Sequence, residues 1–101
     1  YDGIKQMLQQ GDLPEALFCS SDLIAYGAHR SLSELGFRVP RDIVLMGFDD
    51  NPLNDWIAPW LNSVSVPYPK FGQAIVKGLE AIWNQGDRSA QILPFTIVER
   101  A

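Results

Sequence analysis

Residues 36–52, GFRVPRDIVLMGFDDNP, decide how this chain folds. Gly36 suits a helix end in the left-handed conformation, and Phe37 stands where an apolar contact commonly accompanies such a cap. Pro40 cannot extend a helix and favours an extended Val39. Residues 43–46 are an uninterrupted apolar run, the pattern of a strand covered on both faces. Gly47-Phe48-Asp49-Asp50-Asn51-Pro52 then reads as turn chemistry. Two carboxylates, Asp49 and Asp50, therefore follow the carboxyl end of a central strand. That edge is where open α/β sheets bind ligands.

Working back towards the start, residues 22–35 form the clearest helix. Ala25, Ala28, Leu32 and Leu35 recur on one face, and the alanines allow close approach to a sheet. His29, Arg30 and Ser33 fall on another face. His29 has no second histidine or cysteine at ligand spacing and reads as a solvated or interface residue. Ser21 is the best N-cap candidate, and Asp22 in the first turn is favourable against the helix dipole. Residues 16–19 read as a second buried strand. Residues 2–10 form a short amphipathic helix with Ile4, Met7 and Leu8 as its stripe and Gly11 as its stop.

Beyond the central turn, residues 53–59 are irregular or briefly helical, with Trp56 and Ile57 among polar neighbours. Residues 63–66 form a strand, and Pro67-Tyr68-Pro69 a stiff bend. A long helix over 69–85 follows, with Phe71, Ile75, Gly78, Leu79 and Ile82 as its buried stripe and Gly86 at its end. A last strand near 92–98 contains Pro94, which points to a sheet edge. Strands alternating with helices predict an α/β fold, a mostly parallel sheet flanked by helices.

The chain has 101 residues, a net charge of −4 and 47% hydrophobic residues, as expected of about one folded domain or less. No basic stripe is present, which argues against direct DNA binding by this segment. The single cysteine, Cys19, cannot form an internal disulfide and suits a reducing compartment. No apolar stretch approaches the roughly 20 residues of a membrane span.

Ser21 and Asp49 follow adjacent strands, so parallel pairing brings them to one rim, and Tyr68 follows the next strand. A carboxylate there accepts hydroxyl or amine donors, and an aromatic face stacks on a sugar ring or a base. Asp49 can also serve as a turn-organising residue and Ser21 as a pure cap. Trp56, Ile57 and Trp60 form an apolar cluster near a loop, read either as packing on the core or as a dimer face. Dinucleotide, phosphate-loop and nucleophile-elbow signatures are absent, as is cysteine–histidine metal spacing. The sequence thus predicts no catalytic residues, no metal and no cofactor. A magnesium-binding phosphoacceptor site at Asp49 and Asp50 is an alternative that lacks a lysine at a strand end.

The same residues carry a resemblance. GFRVPRDIVLMGFDD, with CSSDLIAYGAHRSLSELG before it and APWLNSVSVPYPKFGQAIVKGLEAIW after it, resembles the effector-binding domain of the lactose-repressor/galactose-repressor family. The likeness runs along essentially the whole chain. It implies the C-terminal portion of a periplasmic-binding-protein-like type I domain, a fragment whose helix 69–85 belongs to the other lobe. It further implies a small polar effector, a sugar or related metabolite, contacted by Ser21, Asp49 and Tyr68. Ser21 stands where the family usually has Asn, and serine offers one donor rather than two. Leu23, Trp56, Ile57 and Trp60 are implied at a homodimer interface. DNA is implied as a partner only through a headpiece outside this chain, in a cytoplasmic regulator without membrane contact. A periplasmic sugar-binding protein of a transport system is the alternative with the same fold.

Overall fold

The helix stop forms as Gly36 dictates. In the computed structural model, which describes all 101 residues, the helix over Asp22–Glu34 ends with Gly36 at φ +87. Phe37 N–H donates to Leu32 O at 2.9 Å and Gly36 N–H to Ser33 O at 3.1 Å, the paired bonds of a Schellman motif. Phe37 packs against the core. Arg38 N–H then donates to Asp42 Oδ2 at 2.7 Å, closing the turn into the central strand. The Val39–Pro40 peptide in this turn is cis.

The elements run α1 (Asp2–Gln9), β1 (Ala16–Phe18), α2 (Asp22–Glu34), β2 (Val44–Asp49), α3 (Asn54–Ile57), β3 (Asn62–Ser65), α4 (Tyr68–Gln85) and β4 (Thr96–Val98). The four strands form one sheet in the order β1-β2-β3-β4. The pairs β1–β2 and β2–β3 are parallel, with Phe18 opposite Met46 and Asp49 opposite Ser65. The chain divides into two units, Tyr1–Ser65 with Ile97–Ala101, and Val66–Thr96.

The first unit holds the core. Ala25, Ala28 and Leu32 of α2 are buried with Cys19, Ile43, Leu45, Ala58, Leu61 and Ile4 of α1. The small residues on α2 let the helix lie close on β2, and α1 packs against α2. Full burial of side chains such as Leu32, Ile43, Leu45 and Leu61 stabilises by about 1.5–3 kcal/mol each.

The strands depart from the sequence reading in one respect. Residues 43–46 are expected to be buried on both faces and 16–19 to be a buried strand, yet β1 exposes Ala16 and Phe18, and β2 alternates between exposed and buried positions. Side chains alternate across a strand. Leu45 and Gly47 face the helices, whereas Phe18, Val44 and Phe48 stand exposed on the opposite face, which no helix of this unit covers. A further correction concerns Gly47, Phe48 and Asp49. They continue β2 rather than forming the turn.

Gly47 is in the strand because of what lies against it. A Cβ at this position would collide with Asp22 Oδ1 and stand 3.3 Å from Asp22 Cα. Glycine inside a strand commonly marks such a close approach.

The second unit consists of α4 and the segment that follows it. Gly86 ends α4 in the left-handed conformation, with its N–H on Ile82 O at 3.0 Å. Gln91 Nε2 donates to Ala74 O at 3.1 Å and ties the following segment to the helix. The stripe of Phe71, Ile75, Leu79 and Ile82 expected to be buried is exposed, and no residue of α4 is fully buried. A single helix and an irregular segment offer too little apolar surface to cover it. Pro94 lies outside β4, which is shorter than the strand read from the sequence.

Gly47→Ala is expected to destabilise the first unit by about 3 kcal/mol, the upper range for forcing atoms into a packed interior. Gly3→Ala, where a Cβ meets nothing within 4 Å, is the control and leaves the denaturant midpoint unchanged or slightly raised. Urea unfolding of the two variants checks this.

Candidate functional site

Ser21 and Asp49 reach the same edge of the sheet by register. Phe18 pairs with Met46, and Ser21 and Asp49 each lie three residues beyond that pair. Ser21 caps α2 from an extended backbone, and its Oγ accepts from Ile24 N–H at 3.2 Å. The capping role read from the sequence is therefore real. Asp49 ends β2 at φ +110 and Asp50 follows at φ +55. Residues with a side chain rarely adopt the first of these values, at a cost of about 1–3 kcal/mol. Such strain persists only where neighbouring contacts impose it.

Those contacts converge on Asp22. This carboxylate is 2% exposed. Its Oδ2 accepts from Asn51 N–H at 2.7 Å and from Asn54 Nδ2 at 2.8 Å, and its Oδ1 accepts from Ser63 Oγ at 2.6 Å. Ser63 Oγ in turn accepts from Asp50 N–H at 3.0 Å. Tyr26 OH donates to Asn54 Oδ1. Burial, then the Asp22 charge, push the Tyr26 phenol up, so it stays a donor at neutral pH. One buried carboxylate thus joins the start of α2, the turn after β2, α3 and β3. Taking a charge out of water is costly, and charge-assisted hydrogen bonds of this length offset the cost.

A second charged group holds the turn from the other side. Arg100 Nη2 donates to Asp50 Oδ1 at 2.7 Å, its Nε to Asp55 Oδ1 at 3.0 Å and its Nη1 to Leu61 O at 3.3 Å. Burial alone would lower the Arg100 pKa, but the bonds to Asp50 and Asp55 leave it raised.

Tyr68 belongs to the second unit, where it opens α4 half-exposed and tilts against Phe71 at 5.5 Å between ring centroids. Leu23 and Trp56 are 76% and 83% exposed, and Ile57 is exposed as well. The bonds from Asn54 to Asp22 and Tyr26 fix α3 beside the first turns of α2, so these apolar side chains sit on neighbouring elements. Trp60 lies differently. It packs against the core and stacks on His29, with ring centroids 3.8 Å apart and planes 8° from parallel, while Tyr26 meets it edge-on. His29, read as solvated or at an interface, is thus a stacking partner, and burial lowers its pKa.

The surface hollows lie elsewhere. An open one of about 410 Å³ runs between α1, α2 and β1, past Ile4, Met7, Phe18 and Cys19. Burial pushes the Cys19 thiol up, which leaves it protonated and unreactive. No group of three or more His, Cys, Asp or Glu side chains is placed to hold a metal ion.

Sequence reasoning placed Asp22 at a helix start and missed its larger role. It also passed over Ser63, Asn54 and Arg100. One signal was available, a glycine inside an apolar strand run, which points to a group pressed against the backbone.

Comparison with known proteins agrees with this architecture. The family model for the periplasmic binding protein-like domain matches residues 1–101. The ribose operon repressor of Haemophilus influenzae is 38% identical over 77 residues, 76% of this chain and 23% of that protein. The transcriptional repressor PurR of Klebsiella pneumoniae is 34% identical over 93 residues, 91% of this chain and 27% of that protein. The chain therefore spans about a quarter of the length of these relatives. Among solved structures, the Lac repressor bound to ONPG superposes with a TM-score of 0.89 at 31% identity, over 99% of this chain and 31% of that one. A LacI-family regulator from Enterococcus faecium with bound ribose superposes with a TM-score of 0.73 at 25% identity, over 97% of this chain and 38% of that one.

The His29–Trp60 stack yields a pH dependence. With the His29 pKa below its ordinary 6.5 in the folded chain, the unfolded chain binds more protons as pH falls through that value, so stability drops on acidification. Urea unfolding at pH 7.5 and 5.5 is expected to show a loss that His29→Gln removes in part. With Trp56 and Trp83 replaced by Phe, Trp60 emission is expected to titrate with a midpoint below 6.5.

Proposed function

The chain belongs to the periplasmic-binding-protein-like domain family, and we propose that it is the C-terminal part of the effector-binding domain of a bacterial transcription regulator. The effector is a small polar molecule, a sugar or related metabolite, held by Asp49 with Ser21 and Tyr68. The carrying observation is Asp49 itself, a carboxylate held at φ +110 at the carboxyl end of a central parallel strand. Backbone strain concentrates at sites where a side chain must be aimed, and a carboxylate aimed from this edge accepts paired hydroxyl donors. Relatives that are transcriptional regulators, and a neighbour with bound ribose, support the reading.

In the mechanism we propose, α4 belongs to the second lobe and effector contacts with both lobes favour a closed arrangement. The hinge is the segment around Val66 to Pro69. Pairing through Leu23, Trp56, Ile57 and the edge of Trp60 makes a homodimer, so closure alters the spacing of two DNA-reading headpieces carried outside this segment. The protein acts in the cytoplasm and without catalysis. Asp50 is engaged by Arg100, which disfavours the magnesium phosphoacceptor alternative. The transport-protein alternative is separated from this reading by whether a headpiece or a secretion signal accompanies the segment.

Isothermal titration of the intact protein against a panel of sugars and nucleosides tests the site. Asp49→Ala is expected to weaken a bound panel member at least about tenfold, the scale for losing a charged hydrogen-bond partner. Undiminished affinity overturns the assignment. Stability separates strain from contact. Asp49→Gly and Asp49→Ala both lack the carboxylate, and Gly is expected to be the more stable by about 1 kcal/mol because it tolerates positive φ. Trp56→Ser is expected to shift sedimentation towards monomer with little change in the unfolding midpoint.

A further inference from the structure

Arg100 lies at the far end of the chain from Ser21, yet its guanidinium grips Asp50, the first residue past β2. The side chain is 12% exposed and meets three acceptors from separate segments, Asp50, Asp55 and Leu61 O. Asp55 is 74% exposed, so solvent screens that pair strongly. Asp50 is 20% exposed and makes the shorter contact at 2.7 Å. The Asp50 pair therefore dominates.

The backbone around Arg100 is anchored without the guanidinium. Asn62 Oδ1 accepts from Arg100 N–H at 2.8 Å and from Ala101 N–H at 3.1 Å. The chain end can thus stay in place when the side chain is changed, and what the guanidinium adds falls on the turn and its surroundings. Asp50 is joined by one peptide to Asp49, and both hold positive φ. Their neighbouring restraints are the Asp50 N–H to Ser63 bond and the Asn51 N–H to Asp22 bond. A planar guanidinium with fixed donors spans three acceptors at once, whereas an ammonium is a single point charge.

We propose that Arg100 is a positioning residue, which clamps Asp50 and thereby holds the Asp49 carboxylate in its ligand-ready, strained geometry. The inference rests on the effector-site reading of Asp49 and deepens it.

The test has an arm that needs no ligand. In Arg100→Gln, amide hydrogen exchange at Asp50 and Asn51 is expected to rise about tenfold. The amides of Cys19 and Val44, bonded across the β1–β2 junction, keep their protection. Arg100→Lys is expected to restore the turn amides only in part. Unchanged exchange at Asp50 and Asn51, or an equal rise at all four amides, overturns the clamp. The second arm titrates D-ribose into the intact protein. If Asp49→Ala weakens D-ribose binding, Arg100→Gln is expected to weaken it severalfold and to add nothing in the Asp49→Ala background. Arg38→Gln, which removes an exposed pair with Asp42, serves as the control. A fully additive loss in the double variant overturns the positioning role. Undiminished D-ribose affinity in Asp49→Ala, with local exchange still raised in Arg100→Gln, instead removes the effector-site reading and leaves only a structural clamp.

Discussion

A single buried carboxylate, Asp22, governs the first unit. Its oxygens accept from Asn51 N–H, Asn54 Nδ2 and Ser63 Oγ, and these partners come from three different segments. A charge so deep in the protein is tolerable only when its lone pairs are engaged. The donors are therefore mutually dependent, because removing one leaves the others sharing a poorly compensated charge. The same carboxylate excludes a side chain at Gly47, so one interaction fixes the helix start, the turn after β2 and the sequence of the strand between them.

That foundation explains how the turn above it can be strained. Asp49 and Asp50 are held from below by the β2–β3 ladder and by Ser63, and from beside by Arg100. A backbone at φ +110 relaxes unless its ends are over-determined. Here the residues on both sides are hydrogen-bonded to elements that the core already immobilises. The rim is therefore preformed, and in the proposed reading that spares an effector the cost of ordering it.

Much of this arrangement could be read from local sequence. The cap at Gly36, the span of α2 and the first-turn position of Asp22 follow from short local patterns, and the parallel pairing of strands from their alternation with helices. The failures share a physical cause. Gly47 looks like a turn residue because Asp49-Asp50-Asn51-Pro52 follow so closely, and that turn chemistry masks the signal of a glycine inside a strand run. Residues 43–46 look like a strand buried on both faces because an apolar run does not reveal whether a second layer is present. The α4 stripe was read correctly as apolar, but its exposure depends on what stands opposite. Ser21 and Asp49 were placed on one rim by topology alone, whereas Arg100, whose role depends on meeting three distant acceptors, left no local mark.

Trp56 on α3 and Trp60 just after it show how closely spaced, chemically identical residues come to differ. Trp60 precedes β3, and its ring is captured between His29 and the edge of Tyr26, so it belongs to the fold. Trp56 sits on a short helix whose inward side is occupied by Asn54, already committed to Asp22 and Tyr26. With Asn54 turned inward, Trp56 is turned out, at 83% exposure. Its exposure is thus a consequence of the buried polar network and not of loose packing. A large apolar ring on an element that the fold already orders has little further backbone entropy to lose on being covered. The network that shapes the rim therefore also sets the outward face of α3, and a change at Asp22 or Asn54 reaches both.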